Sequence, residues 1–258
     1  IGETVRHLEA ALADLVSEII VIDNASGDGG PAEARAAIER GQVVENAENV
    51  GFGGGVNQGL VLASGRRSLV MNDDARLGPD DVRRLLEVLD SDRRIGLVGP
   101  RIIDESGEAM PSARRVFPGP AEEIERFRFW FRRDGRNEAY VGGSEPTDVA
   151  WLVGACIMGP TETLRRAGGF NPAFFLYGED IDLARRLHAL GLRVVTVPDA
   201  TCVHIGGVSS GATFADLARV ERRARARDLY YRIWLRRPVR MLVHVVRAIG
   251  LRYQPWRL

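Results

Sequence analysis

Apolar residues along the chain follow two rhythms, one of period 3.6 and one of short continuous runs. Residues 3 to 16 have the spacing of an amphipathic helix. "EIIVID" (18–23) then gives an unbroken apolar run ending on Asp23, the pattern of a strand covered on both faces. A helix over about 31–40 and a short strand at 42–45 follow, and this β-α-β alternation predicts a parallel sheet. "SLVMNDDA" (68–75) repeats the device, since Leu69 to Met71 run straight into Asn72, Asp73 and Asp74. A helix at 79–90 and the strand "IGLVG" continue the alternation. After residue 104 turn formers dominate, so 105–148 reads as an insertion with one helix over 121–133. "VAWLVGACIMG" (149–159) returns as one buried strand, "TETLRRAGG" as a short helix closed by Gly, and "LRVVTVP" as a further strand. No internal repeat is visible.

Ligands of open parallel sheets bind in the crevice beyond the carboxyl ends of the strands, so Asp23 and Asp73/Asp74 are expected to face one shared site. A third acidic step lies in "FFLYGEDIDLARRL" (174–187). With a helix starting near Glu179, Asp180, Leu183, Ala184 and Leu187 share one face, while Asp182, Arg185 and Arg186 point elsewhere. Asp180 then reads either as an ordinary first-turn acid favoured by the helix dipole or as a general base. In the second reading its proton affinity is raised by Glu179 and by burial against Phe174, Phe175 and Tyr177. "NDDA" reads either as a solvated turn or as hard oxygen ligands for Mg²⁺ or Mn²⁺. His204 is a structural histidine or a ligand to the same ion. Trp151 is a core residue or a stacking platform for a ligand, with Gly154 and Ala155 leaving space beside it. "GFGGGVNQG" fails the dinucleotide spacing, because the sixth place is Val56 or Gln58, and its glycines suit a tight turn at a helix start.

Composition narrows the class further. At 258 residues and 45% hydrophobic content the chain is ample for a buried core. All 35 basic residues are Arg and the formal charge is zero. Residues 219–258 hold twelve Arg against Glu221 and Asp228, a basic amphipathic tail on an acidic body. Such a tail either packs one face on the domain or lies on an anionic bilayer. Nucleic acid is a poor partner for an acidic pocket. Cys156 and Cys202 lack disulfide or metal spacing and are expected to be reduced thiols. With no signal sequence and no spanning stretch, the chain is expected to be cytoplasmic, either soluble or peripheral on the inner face of the plasma membrane.

"VIDNASGDGG", "ENVGFGGGVNQGL", "LVMNDDARL" and the block at 153–210 stand in an order and spacing that resemble family-two inverting glycosyltransferases, especially bacterial rhamnosyltransferase-like members. "GPRIIDESGEAMPSAR" also resembles rhamnosyltransferases of cell-wall assembly. The resemblance implies an α/β, GT-A-type (Rossmann-like), mostly parallel central sheet flanked by helices. It implies a nucleotide-sugar-binding half over 1–104, an acceptor-binding and catalytic half over 149–215, and a helical tail over 216–258. It puts Asp23 and Asn24 on the nucleobase, Asn49 and Gly51 in the nucleotide pocket near Asn57, and Asn72 and Asp73 beside the ribose and sugar. Asp74 would hold the cation, with His204 reaching the metal or diphosphate. Asp180 would be the base and Glu179 its companion. The metal motif opens on Asn72 where Asp is usual, as it does in rhamnosyltransferase-like members.

Family members also open with an apolar strand ahead of the first helix. This chain begins at that helix, so truncation, or another segment filling the slot, is expected. The activity implied is transfer of a sugar, rhamnose foremost, from a dTDP- or UDP-sugar to a glycan or lipid-linked acceptor. A sugar nucleotidyltransferase would need a basic Gly-rich loop near the amino terminus, which is absent. A non-catalytic nucleotide-sugar-binding relative is the remaining alternative, and the sequence leaves oligomeric state open.

Overall fold

The computed structural model describes residues 1–120, 143–205 and 214–253, so the helix expected at 121–133 lies outside the described residues. Helix α1 (Gly2–Ala11) leads into β1 (Ile19–Asp23), α2 (Gly30–Ala37) and β2 (Gly41–Glu45), and β1 and β2 pair in parallel from Ile19↔Gly41 to Asp23↔Glu45. Helix α3 (Gly51–Leu62) then returns to β3 (Arg67–Met71), β4 (Ala75–Leu77), α4 (Pro79–Ser91) and β5 (Ile95–Ile103). Short strands β6 (Ala109–Met110), β7 (Ala113–Arg114), β8 (Thr147–Asp148) and β9 (Trp151–Leu152) precede β10 (Cys156–Pro160). Helices α5 (Thr161–Arg166) and α6 (Glu179–Ala189), the long β11 (Arg193–His204), α7 (Phe214–Trp234) and α8 (Arg237–Tyr253) complete the order.

The larger sheet runs β3-β10-β5-β11-β4, with β6 beside β5 and β8 beside β11. Its centre, β5 on β11, is parallel as the alternation requires, while β10 runs antiparallel between β3 and β5 and β4 runs antiparallel on β11. The continuous apolar character of β5 and β11 follows from cover on both faces. Val82, Leu85, Val88 and Leu89 of α4 belong to the core on one side, and Leu183, Ala184 and Leu187 of α6 to that on the other. Each of these Val and Leu side chains stabilises the fold by about 1.5–3 kcal/mol relative to exposure.

The expectation of full cover fails for β1 and β3. Only Ile19 of β1 is buried, and every residue of β3 is half-buried. Strand β1 pairs with β2 alone and β3 with β10 alone, so the two sheets do not join. Between them lies a cavity of about 840 Å³, bordered by Ile19 to Asp23, Ser68 to Asp73, Val5 and Leu8 of α1, Leu12 just after it, and Phe52 and Val56 of α3. Among the described residues no strand fills it, and one edge of each strand is left without ladder partners.

The strand expected over 149–159 is broken. Strand β9 pairs with β7 (Ala113↔Leu152, Arg114↔Trp151), β10 joins the large sheet, and Val153–Ala155 turns between them. Phe174, Ala226, Tyr230, Tyr231 and Val243 form a separate small core that binds the tail helices to the domain. Cys156 and Cys202 are buried and free, and the Cys156 thiol is pushed well up by its hydrogen bond with Cys202 and by burial.

Candidate active site

The carboxyl end of β1 carries Asp23 and Asn24, and both line the 840 Å³ cavity together with Asn72 and Asp73 from the end of β3. The expected sharing of one crevice by the two acidic strand ends therefore holds for Asp23 and Asp73. Asp23 Oδ2 accepts from Ser26 N at 3.3 Å, closing a turn in which Ala25 takes a left-handed φ of 62°. Asn24 is fixed at both ends: Nδ2 donates to Gly51 O (3.1 Å) and Oδ1 accepts from Asn46 Nδ2 (3.0 Å). Asn46 and Gln58 exchange reciprocal amide bonds of 2.9 and 3.0 Å, which ties the end of β2 to α3. Asn49 Oδ1 accepts from Gly51 N at 2.9 Å. Gly51 has φ 79°, and a Cβ there would stand 2.5 Å from Phe175 O, so only glycine permits this approach.

At the other strand end, β4 pairs with β11 so that Ala75 faces His204, and Ile205 N donates to Asp74 O (2.9 Å). This register brings His204 Nε2 to 3.0 Å from Asp74 Oδ1 and 3.3 Å from Asn72 Nδ2. The Asp74 hydrogen bond raises the imidazole above its ordinary value, against an opposing effect of burial. Asp73 is exposed, and its carbonyl accepts from Thr4 of α1.

Helix α6 starts behind a tight turn in which Tyr177 (φ 71°) and Gly178 (φ 88°) are both left-handed. For Tyr177 this conformation costs on the order of 1–3 kcal/mol and persists only where packing fixes it. Glu179 and Asp180 follow. Asp180 Oδ1 accepts from Ile181 N (2.8 Å) and Oδ2 from Gly154 N (3.1 Å), yet its burial still pushes the carboxyl up to about 6. It keeps an accessible edge while most of the group is enclosed. Glu179 is 5% exposed, its Oε2 has no hydrogen-bond partner, and burial followed by repulsion from Asp180 lifts it to about 8. The raised proton affinity of Asp180 was expected, but burial is its cause, and the charge repulsion falls on Glu179.

Asp182 corrects the sequence reading. It does not point away: it is 1% exposed, bonded to Arg186 Nε and Trp234 Nε1 at 2.8 Å each. The Asn57 amide clamps Phe170 from both ends, Nδ2 donating to its O and Oδ1 accepting from its N at 2.7 Å each. Trp151 is half-buried against the core of α6, and its indole N–H donates to Val116 O at 3.1 Å.

The break at Val153–Ala155 connects these parts. Gly154 N holds Asp180 Oδ2, and the next residue, Ala155, accepts from Asn72 N at 2.9 Å. Two consecutive residues thus join the end of β3 to the head of α6.

Comparison with known proteins places this geometry. The profile of glycosyl transferase family 2 matches residues 1–150, more than half of the chain. The chain belongs to glycosyl transferase family 2. It is 29% identical over 227 residues to N-acetylglucosaminyl-diphospho-decaprenol L-rhamnosyltransferase of Mycobacterium tuberculosis, over 80% of this chain and 74% of that protein. Rhamnosyltransferase WbbL of Escherichia coli is 26% identical over 136 residues, about half of each chain (53% and 51%). The crystal structure of GalNAc-T7 with UDP, GalNAc and Mn²⁺ superposes with a TM-score of 0.52 at 16% identity, over 74% of this chain and 38% of that one. That likeness carries the fold alone.

Within this glycosyltransferase, sequence reasoning missed Asn46 and Gln58, which complete the amide cluster around Asn24. The available signal was the position of Asn46 directly after Glu45, which matches that of Asn24 directly after Asp23. Among the described residues no group of three or more His, Cys, Asp or Glu forms a metal cage. Asp74 Oδ1 and His204 Nε2, 3.0 Å apart, put one oxygen and one nitrogen at the same strand edge.

Proposed function

We propose that this glycosyltransferase moves a sugar, with rhamnose as the leading donor, from a dTDP- or UDP-sugar to a glycan or lipid-linked acceptor with inversion. The bridge Asn72–Ala155–Gly154–Asp180 carries the proposal, because it ties the donor end of β3 to the only raised carboxylate that also keeps an open edge among the described residues. Asp180 takes the proton of the acceptor hydroxyl as its oxygen bonds to the anomeric carbon. The bond from that carbon to the donor phosphate breaks on the opposite face, and the nucleoside diphosphate departs. General-base assistance of this kind contributes about 10²–10⁴ in rate. Gly154 holds one carboxylate oxygen and Ile181 N the other, so the base is aimed before substrate arrives.

Asp23 and Asn24 line the nucleobase end, supported by Asn46, Gln58, Asn49 and Gly51, while Asn72 and Asp73 border the ribose and sugar. Asp74 and His204 would hold Mg²⁺ or Mn²⁺, which offsets charge on the departing diphosphate. Trp151 offers its exposed edge to the acceptor. A lipid-linked acceptor fits the tail. Helix α8 exposes Met241, Leu242 and Val245 next to Arg236 and Arg237, an apolar and basic face suited to an anionic bilayer. Among the described residues no helix is long and apolar enough to cross a membrane.

The test is a panel of nucleotide sugars with Mg²⁺ or Mn²⁺, read as nucleotide release in the presence of acceptor. One donor is expected to turn over, and Asp74→Ala is expected to lose metal-dependent binding of the matching nucleoside diphosphate. Equal binding with and without metal in wild type and variant would remove the metal assignment.

A further inference from the structure

The catalytic helix α6 is gripped from outside the site. Its second turn donates and accepts toward α7: Trp234 Nε1 donates to Asp182 Oδ1 (2.8 Å), and Arg185 Nε donates to Tyr230 OH (2.7 Å). The Arg185 guanidinium also lies 4.1 Å from the Phe117 ring centroid and 5.9 Å from each of Tyr230 and Trp234. The strained turn before α6 is held by the same helix. Tyr177 packs into the small tail core, with Arg223 of α7 4.9 Å from its ring centroid. A Cβ on Gly178 would meet the Phe174 ring at 3.0 Å and Ala226 of α7 at 3.6 Å. Anchoring a tail needs only apolar contact. Here two buried polar bonds land within the first seven residues of the helix that presents the base, and ring contacts cover the turn that aims it.

We infer that Trp234 and Tyr230 are positioning residues for transfer: through Asp182 and Arg185 they fix the Tyr177–Gly178 turn and the first turn of α6, and so the direction in which Asp180 offers its carboxylate. The inference rests on the reading of Asp180 as the base, but its structural half does not need that reading. A strained left-handed tyrosine stays in place only while its surroundings over-determine it. Asp182 keeps Arg186 when Trp234 loses its N–H, so the fold survives the loss while the helix gains freedom to shift.

The experiment is the double substitution Trp234→Phe with Tyr230→Phe, which keeps an aromatic ring at each position, the smaller phenyl at 234, and removes both polar bonds. Val243→Ala serves as control, because it loosens the same small core without touching Asp182 or Arg185. In the double variant, kcat is expected to fall on the order of ten-fold, since small misplacement of a reacting group is costly in rate. KM for the nucleotide sugar should stay within about two-fold. Amide exchange over residues 177–182 should rise about ten-fold, while β5 and β11 stay protected. The control should lose thermal stability and keep kcat. Unchanged exchange at 177–182 in the double variant overturns the inference, as does faster exchange with kcat intact, or a kcat loss that the control shares. If wild type turns over no nucleotide sugar, the transferase reading fails by itself, and exchange at 177–182 alone decides whether the tail holds the turn.

Discussion

The two ends of the site, proposed to hold donor and base, are packed to different densities among the described residues. At the base end, α6 packs Leu183, Ala184 and Leu187 with no exposure against a sheet whose central strands are covered on both sides. At the donor end, Asp23 and Asn24 sit on a two-stranded sheet that backs onto an 840 Å³ cavity, and the apolar residues of β1 beyond Ile19 stay half-exposed. On the proposed reading, the base stands on the densely packed part, and the groups assigned to the nucleotide stand on a part whose described contacts are mainly side-chain amides and one helix.

The largest effect should come from the densely packed half. Asp180→Asn keeps one of the two acceptor oxygens that Gly154 N and Ile181 N bond, gives up the other and cannot take the acceptor proton, so kcat should fall by about 10²–10⁴. Calorimetric titration with the nucleoside diphosphate should show unchanged affinity. Wild-type turnover in that variant would remove the base assignment, and a parallel loss of affinity would move Asp180 into donor binding.

Packing density predicts the next effect, on stability. Leu183→Ala removes a fully buried side chain and should cost about 2–5 kcal/mol. Ile22→Ala on β1 borders the cavity and should cost about 1 kcal/mol. Denaturant titration of both variants compares the halves directly. Equal costs would mean that the cavity is closed in solution.

Protonation sharpens the contrast. Glu179 and Asp180 bind protons more tightly folded, at about 8 and about 6, than the ordinary carboxylates they become on unfolding. Their contribution to stability is therefore fully present below the ordinary carboxylate range and is lost as pH rises through about 6 and then about 8. Transfer runs the other way, since the base must be ionised, and its rate should rise through about pH 6. Glu179→Gln removes the later titration, so its Tm should exceed that of wild type by about 2–4 °C at pH 8.5 and converge with it near pH 5. A constant difference across that range would show that Glu179 does not titrate there.

Much of this was legible before any coordinates. The strand ends at Asp23 and Asn72 follow from apolar runs stopping on polar residues, and the helix at Glu179 from its 3.6-residue spacing. The break at Gly154 was hidden because "VAWLVGACIMG" is apolar throughout, and its turn is decided by a carboxylate 26 positions away. Burial of Asp182 was hidden for the same reason: its partner Trp234 lies 52 residues on, and an isolated helix wheel places an acid in water by default.

The smallest effect tests the looser half. Asn46 joins Asn24 to Gln58 through three amide bonds, all partly solvent-accessible, so water replaces much of what a substitution removes. Asn46→Ala should weaken nucleoside diphosphate binding by only about five-fold, the size of one net hydrogen bond. Asn46 is one of two anchors of Asn24, the other being Gly51 O, so the loss should appear in affinity with kcat at saturating donor unchanged. A fall in kcat instead would mean that the donor end also aims the reacting carbon, and the division of labour between the two halves would then not hold.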